Sequence, residues 1–70
     1  MEDMDKLEHL LEHWIEHNEE HAAEFSQWAV KANDFGEATV HDEIMEAANQ
    51  LQMANEALGT ALKKLNNHQV

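Results

Sequence analysis

The most reactive stretch of this sequence is a four-residue repeat of glutamate followed by histidine. It reads Glu8-His9, Glu12-His13, Glu16-His17 and Glu20-His21, and Glu24 continues the spacing of the glutamates. Neutral imidazole is the commonest side-chain ligand of divalent metals. Two histidines four residues apart on a helix can reach one ion from the same face. The repeat therefore predicts a site for a divalent transition metal.

The four histidines of the repeat are not equivalent. A step of four residues turns a helix about 40° beyond a full circle, so the stripe winds around it. His9 starts opposite the apolar face, whereas His17 reaches its border and His21 falls between Asn18 and Phe25. We therefore predict His17 and His21 as the core ligands. The candidates for completing the ligand set are Glu20, Glu24 and His13.

The donors of this stripe are nitrogen and oxygen without sulfur, because the chain has no cysteine. Such a set favours Ni or Zn, and less strongly Co, Cu or Fe. His41 lies on the second helix, far from His17 in a single hairpin, and could join a site across a dimer. Three readings without metal remain open: a solvated helix face, a core His21 hydrogen-bonded to Asn18 or a partner helix, and a pH-responsive interface.

The same repeat also contains the pattern His-x-x-Glu-His, which matches the inverted zinc-peptidase motif. A tandem repeat produces such matches easily. Peptidases also need a cleft and a third ligand, and the sequence offers no substrate pocket. We therefore expect no enzymatic activity.

Two helices must position these residues. The chain has no proline and two glycines, and it is rich in strong helix formers. The first helix is expected over about residues 4–32, capped by Asp3 or Asp5. A turn follows over 33–38, and the second helix covers about 39–65, with Thr39 and Asp42 resembling a capping box. Gly59 could allow a close approach of Trp14. The whole chain, residues 1–70, is expected to be one all-α domain, an antiparallel hairpin.

The apolar positions of both helices are spaced alternately by three and four residues, as in a coiled coil. The predicted seam of helix one is Leu7, Leu11, Trp14, Asn18, His21, Phe25, Trp28 and Ala32, widened by Leu10, Ile15, Ala22 and Ala29. That of helix two is Val40, Ile44, Ala47, Leu51, Ala54, Leu58, Ala61 or Leu62, and Leu65. Asn18 and Asn55 should lie level and fix the register. Because two helices alone would leave both tryptophans exposed to solvent, we expect a homodimer that forms a four-helix bundle.

The overall charge limits the possible partners. A net charge of −11 argues against nucleic acid and anionic membranes, and favours cations or a basic protein, although acidity also serves solubility. No apolar run could span a bilayer, and no secretory signal is present, so a cytoplasmic location is expected. Met45 and Met53 lie off the seam and could contact a protein partner. The alternative function is thus a structural or protein-interaction dimer with core histidines and no metal.

The stretch Leu10-Leu11-Glu12-His13-Trp14-Ile15-Glu16-His17-Asn18-Glu19-Glu20-His21-Ala22-Ala23-Glu24-Phe25 resembles a signature of small, largely uncharacterised helical proteins of anaerobic microbes. The resemblance covers roughly residues 7–32. It implies a compact helical domain in which a few residues act as a unit, and it carries no activity. Those residues are His13, Trp14, His17, Asn18 and His21.

Overall fold

Two long helices make up the computed structural model, which describes residues 2–67 of the chain. Helix α1 spans Glu2–Asp34 and helix α2 spans Ala38–Asn67. They pack against each other in a body that measures 53 × 15 × 12 Å, and no strand occurs within the described range. The prediction of an all-α antiparallel hairpin is confirmed. The molecule is one layer of helices, so each helix has only one neighbour.

The turn between the helices is a Schellman motif. The Glu37 N–H donates to the carbonyl of Ala32 over 2.9 Å, and the Gly36 N–H donates to that of Asn33 over 3.0 Å. Gly36 has a φ of +86°, a conformation that side chains with a Cβ rarely adopt. The motif satisfies carbonyls at the end of α1 and reverses the chain at the predicted place.

The helix starts differ in detail from the predictions. Helix α1 begins at Glu2, so Asp3 and Asp5 lie inside its first turn, where they suit the positive end of the helix dipole. Helix α2 begins at Ala38, one residue before the predicted start, so Thr39 lies inside the helix and the predicted capping box is wrong. The Glu37 carbonyl accepts from the His41 N–H, and the Asp42 carboxylate lies 3.0 Å from the His41 ring nitrogen Nδ1.

The contact between the helices, called the inner seam below, repeats every three and four residues. Its half-buried and buried members on α1 are Met4, Glu8, Leu11, Ile15, Asn18, Ala22, Phe25, Ala29 and Ala32. On α2 they are His41, Ile44, Ala48, Leu51, Asn55, Leu58, Leu62 and Leu65. Small side chains are the best-buried ones in the half near the turn: Ala29 is fully buried and Ala48 is 4% exposed. These alanines allow the two helices to pack closely in that half.

The inner seam agrees with the predicted one in only half of its positions. The column of residues that contains Leu11, Asn18 and Phe25 is inside, as predicted. The column that contains Trp14, His21 and Trp28 is exposed, and Ala22 and Ala29 replace it in the contact. Placing His21 in the packed side was therefore wrong for the hairpin. A pair of helices buries only two columns on each, and the apolar stripe here is three columns wide.

A polar pair sets the register of the hairpin. Asn18 Nδ2 donates to Asn55 Oδ1 over 2.9 Å, and Asn55 Nδ2 donates to the carbonyl of Ile15 over 2.9 Å. The prediction that Asn18 and Asn55 lie at the same height along the hairpin is confirmed. No hydrogen bond joins Asn18 to His21, so that half of the reading of His21 as a core histidine is wrong, and the half that invokes a partner helix stays a prediction.

Gly59 makes no close approach. A Cβ added there would meet no atom within 4 Å, so the proposed contact with Trp14 is wrong. Trp14 lies on the exposed column instead, with 42% of its surface accessible.

Candidate functional site

One side of the hairpin carries an exposed apolar surface. A column is a set of residues on one helix that are spaced by seven. On each helix one exposed column lies beside the inner seam, and each of its residues comes three positions after one member of the neighbouring inner-seam column and four positions before the next. It therefore lies on the same rotational side of both helices. Because the helices are antiparallel, the two exposed columns share one side of the molecule. They are Leu7, Trp14, His21 and Trp28 on α1, and Val40, Ala47, Ala54 and Ala61 on α2.

A second pair of columns borders this surface. Its members are Leu10, His17, Glu24 and Lys31 on α1, and Glu43, Gln50, Ala57 and Lys64 on α2. We call these two pairs of columns together the outer face. All of its residues are exposed, including Trp28 at 53%. The Lys31 Nζ lies 4.2 Å from the centre of the Trp28 ring, an exposed cation–π contact.

The outer face has no net charge, and its two columns next to the inner seam contain no Asp, Glu, Lys or Arg. It carries two glutamates and two lysines, which cancel, although the chain as a whole has a net charge of −11. The opposite side of the hairpin has a groove that is lined in part by Glu19, Gln52 and Glu56. Depletion of charge together with exposed aromatic residues is typical of the core of a protein–protein interface.

An open groove of about 550 Å³ occupies the outer face near the turn. Its apolar walls are Phe25 and Trp28 of α1, and Val40, Ile44 and Ala47 of α2. Large residues on α1 thus face small or β-branched residues on α2. The groove confirms that both helices contribute to one continuous apolar surface.

The two predicted core ligands lie together in the middle of this face. The rings of His17 and His21 are stacked with their centroids 4.5 Å apart and an interplanar angle of 13°. Both side chains are exposed, and the His21 ring lies 6.2 Å from that of Phe25. Two histidines one helical turn apart can reach one ion above the helix surface. The stack itself does not hold an ion, because the nitrogen lone pairs lie in two parallel ring planes, so the rings must rotate before both can bind it.

The other predicted ligands do not complete this pair within one chain. The His13 ring meets the His17 ring edge-on at 5.5 Å, and both border a shallow groove with Glu16 and Glu20 on the side of α1 away from α2. Glu24 lies at the rim of the apolar groove. Across residues 2–67, no three histidine or carboxylate side chains are close enough to hold one ion.

His41 belongs to another region. It is half-buried on the inner seam at the start of α2, with its Nδ1 atom 3.0 Å from the Asp42 carboxylate. The register places it at the turn end of the molecule, away from His17 in the same chain. The separation predicted for these two histidines is confirmed.

The fold and this surface define a two-helix hairpin with one unpartnered apolar face. A family model described as a domain of unknown function (DUF8180) matches residues 7–65, and the chain belongs to that family. The match extends over all of the outer face and over every member of the inner seam except Met4. No curated protein and no solved structure matches the chain. Within the described residues, neither helix has an apolar stretch long enough to cross a membrane.

Proposed function

We propose that this protein is a self-associating helical module, in which the outer faces of two copies pack together into a four-helix bundle. The observation that carries the proposal is the third apolar column, exposed on the same side of both helices. In a four-helix bundle each helix has two neighbours, and such a stripe is buried on both flanks. Trp14, His21 and Trp28 then enter a core, as the spacing of the sequence predicts.

The accessible surface area of the hairpin supports a second copy of the chain as the partner of the outer face. A folded monomer of this mass exposes roughly 4,500 Å² by the usual scaling. The hairpin, at 8.1 kDa, exposes 5459 Å². The excess, roughly 1,000 Å², is similar to the ~800 Å² that each partner contributes to a standard interface. A second copy supplies a surface of matching size and zero net charge.

Introducing negative charges on the outer face tests the proposal. Trp14→Glu with Trp28→Glu places two carboxylates in the bundle core, where each lost tryptophan costs roughly 2 kcal/mol or more of association energy. Sedimentation analysis over a range of concentrations should show a dimer for the native chain and a monomer for this variant. The matched control is Val30→Glu with Met53→Glu, because both residues are exposed (58% and 61%) and lie off the outer face.

The control variant should remain dimeric. A native chain that is monomeric at every concentration would overturn the proposal and leave a different protein as the partner of this face. If the control variant is monomeric and the variant without the two tryptophans is dimeric, the interface lies outside the outer face.

A second candidate function is the binding of a divalent transition metal, Ni or Zn first, through His17 and His21. The spacing of this exposed pair, one helical turn apart on one side of α1, favours it. The remaining ligands must come from water, from Glu20, Glu24 or His13 after side-chain rotation, or from another chain. No catalytic role is proposed for either histidine.

A further inference from the structure

We infer that the dimer joins the His17–His21 pairs of its two protomers into one site of four imidazoles for a single divalent ion such as Zn²⁺. This inference rests on the proposed self-association, since one chain supplies only the stacked pair.

The hydrogen bond between Asn18 and Asn55 fixes which residues are level along the hairpin. Because the helices are antiparallel, a step backwards on α2 corresponds to a step forwards on α1. Ala54 therefore lies level with the turn of α1 that separates His17 from His21. The midpoint of the histidine pair and Ala54 share one height on the outer face.

Helix α2 presents a pattern that is symmetric about this height. Ala47 and Ala61 lie seven residues before and after Ala54, and all three are exposed on the outer face. Consider two hairpins whose outer faces meet, with a two-fold axis that lies between them and runs perpendicular to the helices at the height of Ala54. This axis packs α2 against the partner's α2, and the two helices run antiparallel. Ala47 then meets the partner's Ala61, and Ala54 meets the partner's Ala54. Small residues at such contacts allow the helices to approach to the short end of the usual ~8–10 Å range.

The charges at the border of α2 agree with this axis. Glu43 and Lys64 stand at nearly equal distances from Ala54 along the chain, on opposite sides of it. The two-fold operation brings Glu43 close to the partner's Lys64, and the reverse pair forms at the other end. Opposite charges that meet at a rim favour the correct pairing of two surfaces.

The same axis crosses α1 between His17 and His21. His17 then lies opposite the partner's His21, and His21 lies opposite the partner's His17. Trp14 and Trp28 are bulky, so they hold the two copies of α1 further apart than the alanine-lined copies of α2. The gap at the centre of the α1 pair can accommodate an ion together with the imidazoles that approach it from both sides.

The donor set suits zinc. Zn²⁺ takes four ligands in tetrahedral geometry and binds imidazole nitrogen at about 2.0–2.1 Å. Two histidine pairs that approach from opposite helices, with the rings of each pair rotated out of their stack, present two nitrogens each, which fills the coordination sphere without sulfur or water. A sphere closed by protein ligands is the mark of a structural site, so the ion would tie the protomers together.

A two-fold axis parallel to the helices is the competing arrangement. It sets α1 against the partner's α2, so that each histidine pair faces the column of Ala54 and the two pairs do not meet. Ala54→Cys separates the two cases, because the chain has no cysteine of its own. With oxidised glutathione as oxidant, the perpendicular axis should give a disulfide-linked dimer, since disulfides require Cα atoms within about 7 Å. Ala23→Cys, exposed on the opposite side, should not cross-link and serves as the control.

Calorimetric titration of the untagged chain with ZnCl₂, with sedimentation before and after, tests the site itself. The expected stoichiometry is one ion per two chains. His17→Ala and His21→Ala should each weaken binding by more than the roughly 10–100-fold that loss of a ligand's hydrogen-bond partner costs. His9→Ala is the matched control, since His9 belongs to the same repeat, is exposed and lies off the outer face.

The outcomes distinguish this inference from the proposed function. A dimer that binds no zinc, that binds one ion per chain, or that binds equally well without His17 and His21 overturns the four-imidazole site and leaves self-association standing. A dimer that forms only with zinc supports the site and shows that the apolar face alone is insufficient. A chain that stays monomeric with and without zinc overturns both.

Discussion

The inner seam and the outer face follow the same alternation of three- and four-residue steps, yet on α1 they differ in the size of their side chains towards the turn. There the inner seam of α1 carries Ala22 and Ala29, which are almost completely buried. The α1 half of the outer face carries Trp14 and Trp28, which remain about half exposed. Small residues suit close contact with the neighbour already present, and large ones provide area for a neighbour still to be bound.

The two regions also differ in how they use polar residues. On the inner seam, Asn18 and Asn55 satisfy each other and a backbone carbonyl. On the outer face, His17 and His21 stack together, and neither makes a hydrogen bond to protein in the described residues. A polar pair that is satisfied internally fixes a register, whereas one with free ring nitrogens is available to a ligand.

Overpacking the inner seam should have the largest effect on folding. Ala29→Leu adds three carbon atoms where no surface is exposed, and such insertions cost about 1–3 kcal/mol of unfolding free energy. Urea denaturation measures the change. Ala23→Leu on the exposed side of the same helix should stay within about 0.5 kcal/mol of the native chain. Equal losses in both variants would mean that the seam is not where the helices meet.

Breaking the asparagine pair should have a smaller effect. Asn55→Ala leaves the Asn18 amide and the Ile15 carbonyl without their partner, at a cost of about 1–3 kcal/mol if water cannot replace it and less at this half-buried site. Asn49→Ala, exposed on the same helix, is the control.

The double variant Asn18→Leu with Asn55→Leu sharpens the test of this pair. It should recover the unfolding free energy but loosen the register, since apolar contacts tolerate sliding. Cross-linking through Ala54→Cys in this background should then become less efficient. Unchanged cross-linking would show that the alanines alone fix the register.

The glycines should give the smallest and most contrasting changes. Gly59→Ala should stabilise the chain by up to about 1 kcal/mol, because a helical glycine is costly and the site has room for a Cβ. Gly36→Ala should destabilise it, because the positive φ of the Schellman turn is strained for alanine. Thermal unfolding of both variants checks the signs, and a gain at Gly36 would contradict the turn geometry.

The sequence alone determined the secondary structure, the position of the turn, the antiparallel pairing and the level of Asn18 with Asn55. These follow from local properties: helix propensity, the Asn-Asp-Phe-Gly break and the heptad spacing. It also identified His17 and His21 as a pair on one flank of α1, because residues four apart on a helix are separated by only about 40° around its axis.

Only the tertiary structure decided which two of the three apolar columns are buried. Periodicity gives the width of a stripe, but the partner helix selects the part it covers, and alanines pack more closely than tryptophans could. That selection moved His21 from the predicted core to the exposed outer face. His13, Glu20 and Glu24 share no centre with the His17–His21 pair in the described residues of one chain. All of these residues lie on α1, and a single straight helix presents its ligands to an ion from one side only, so the remaining ligands must come from a second helix or from water.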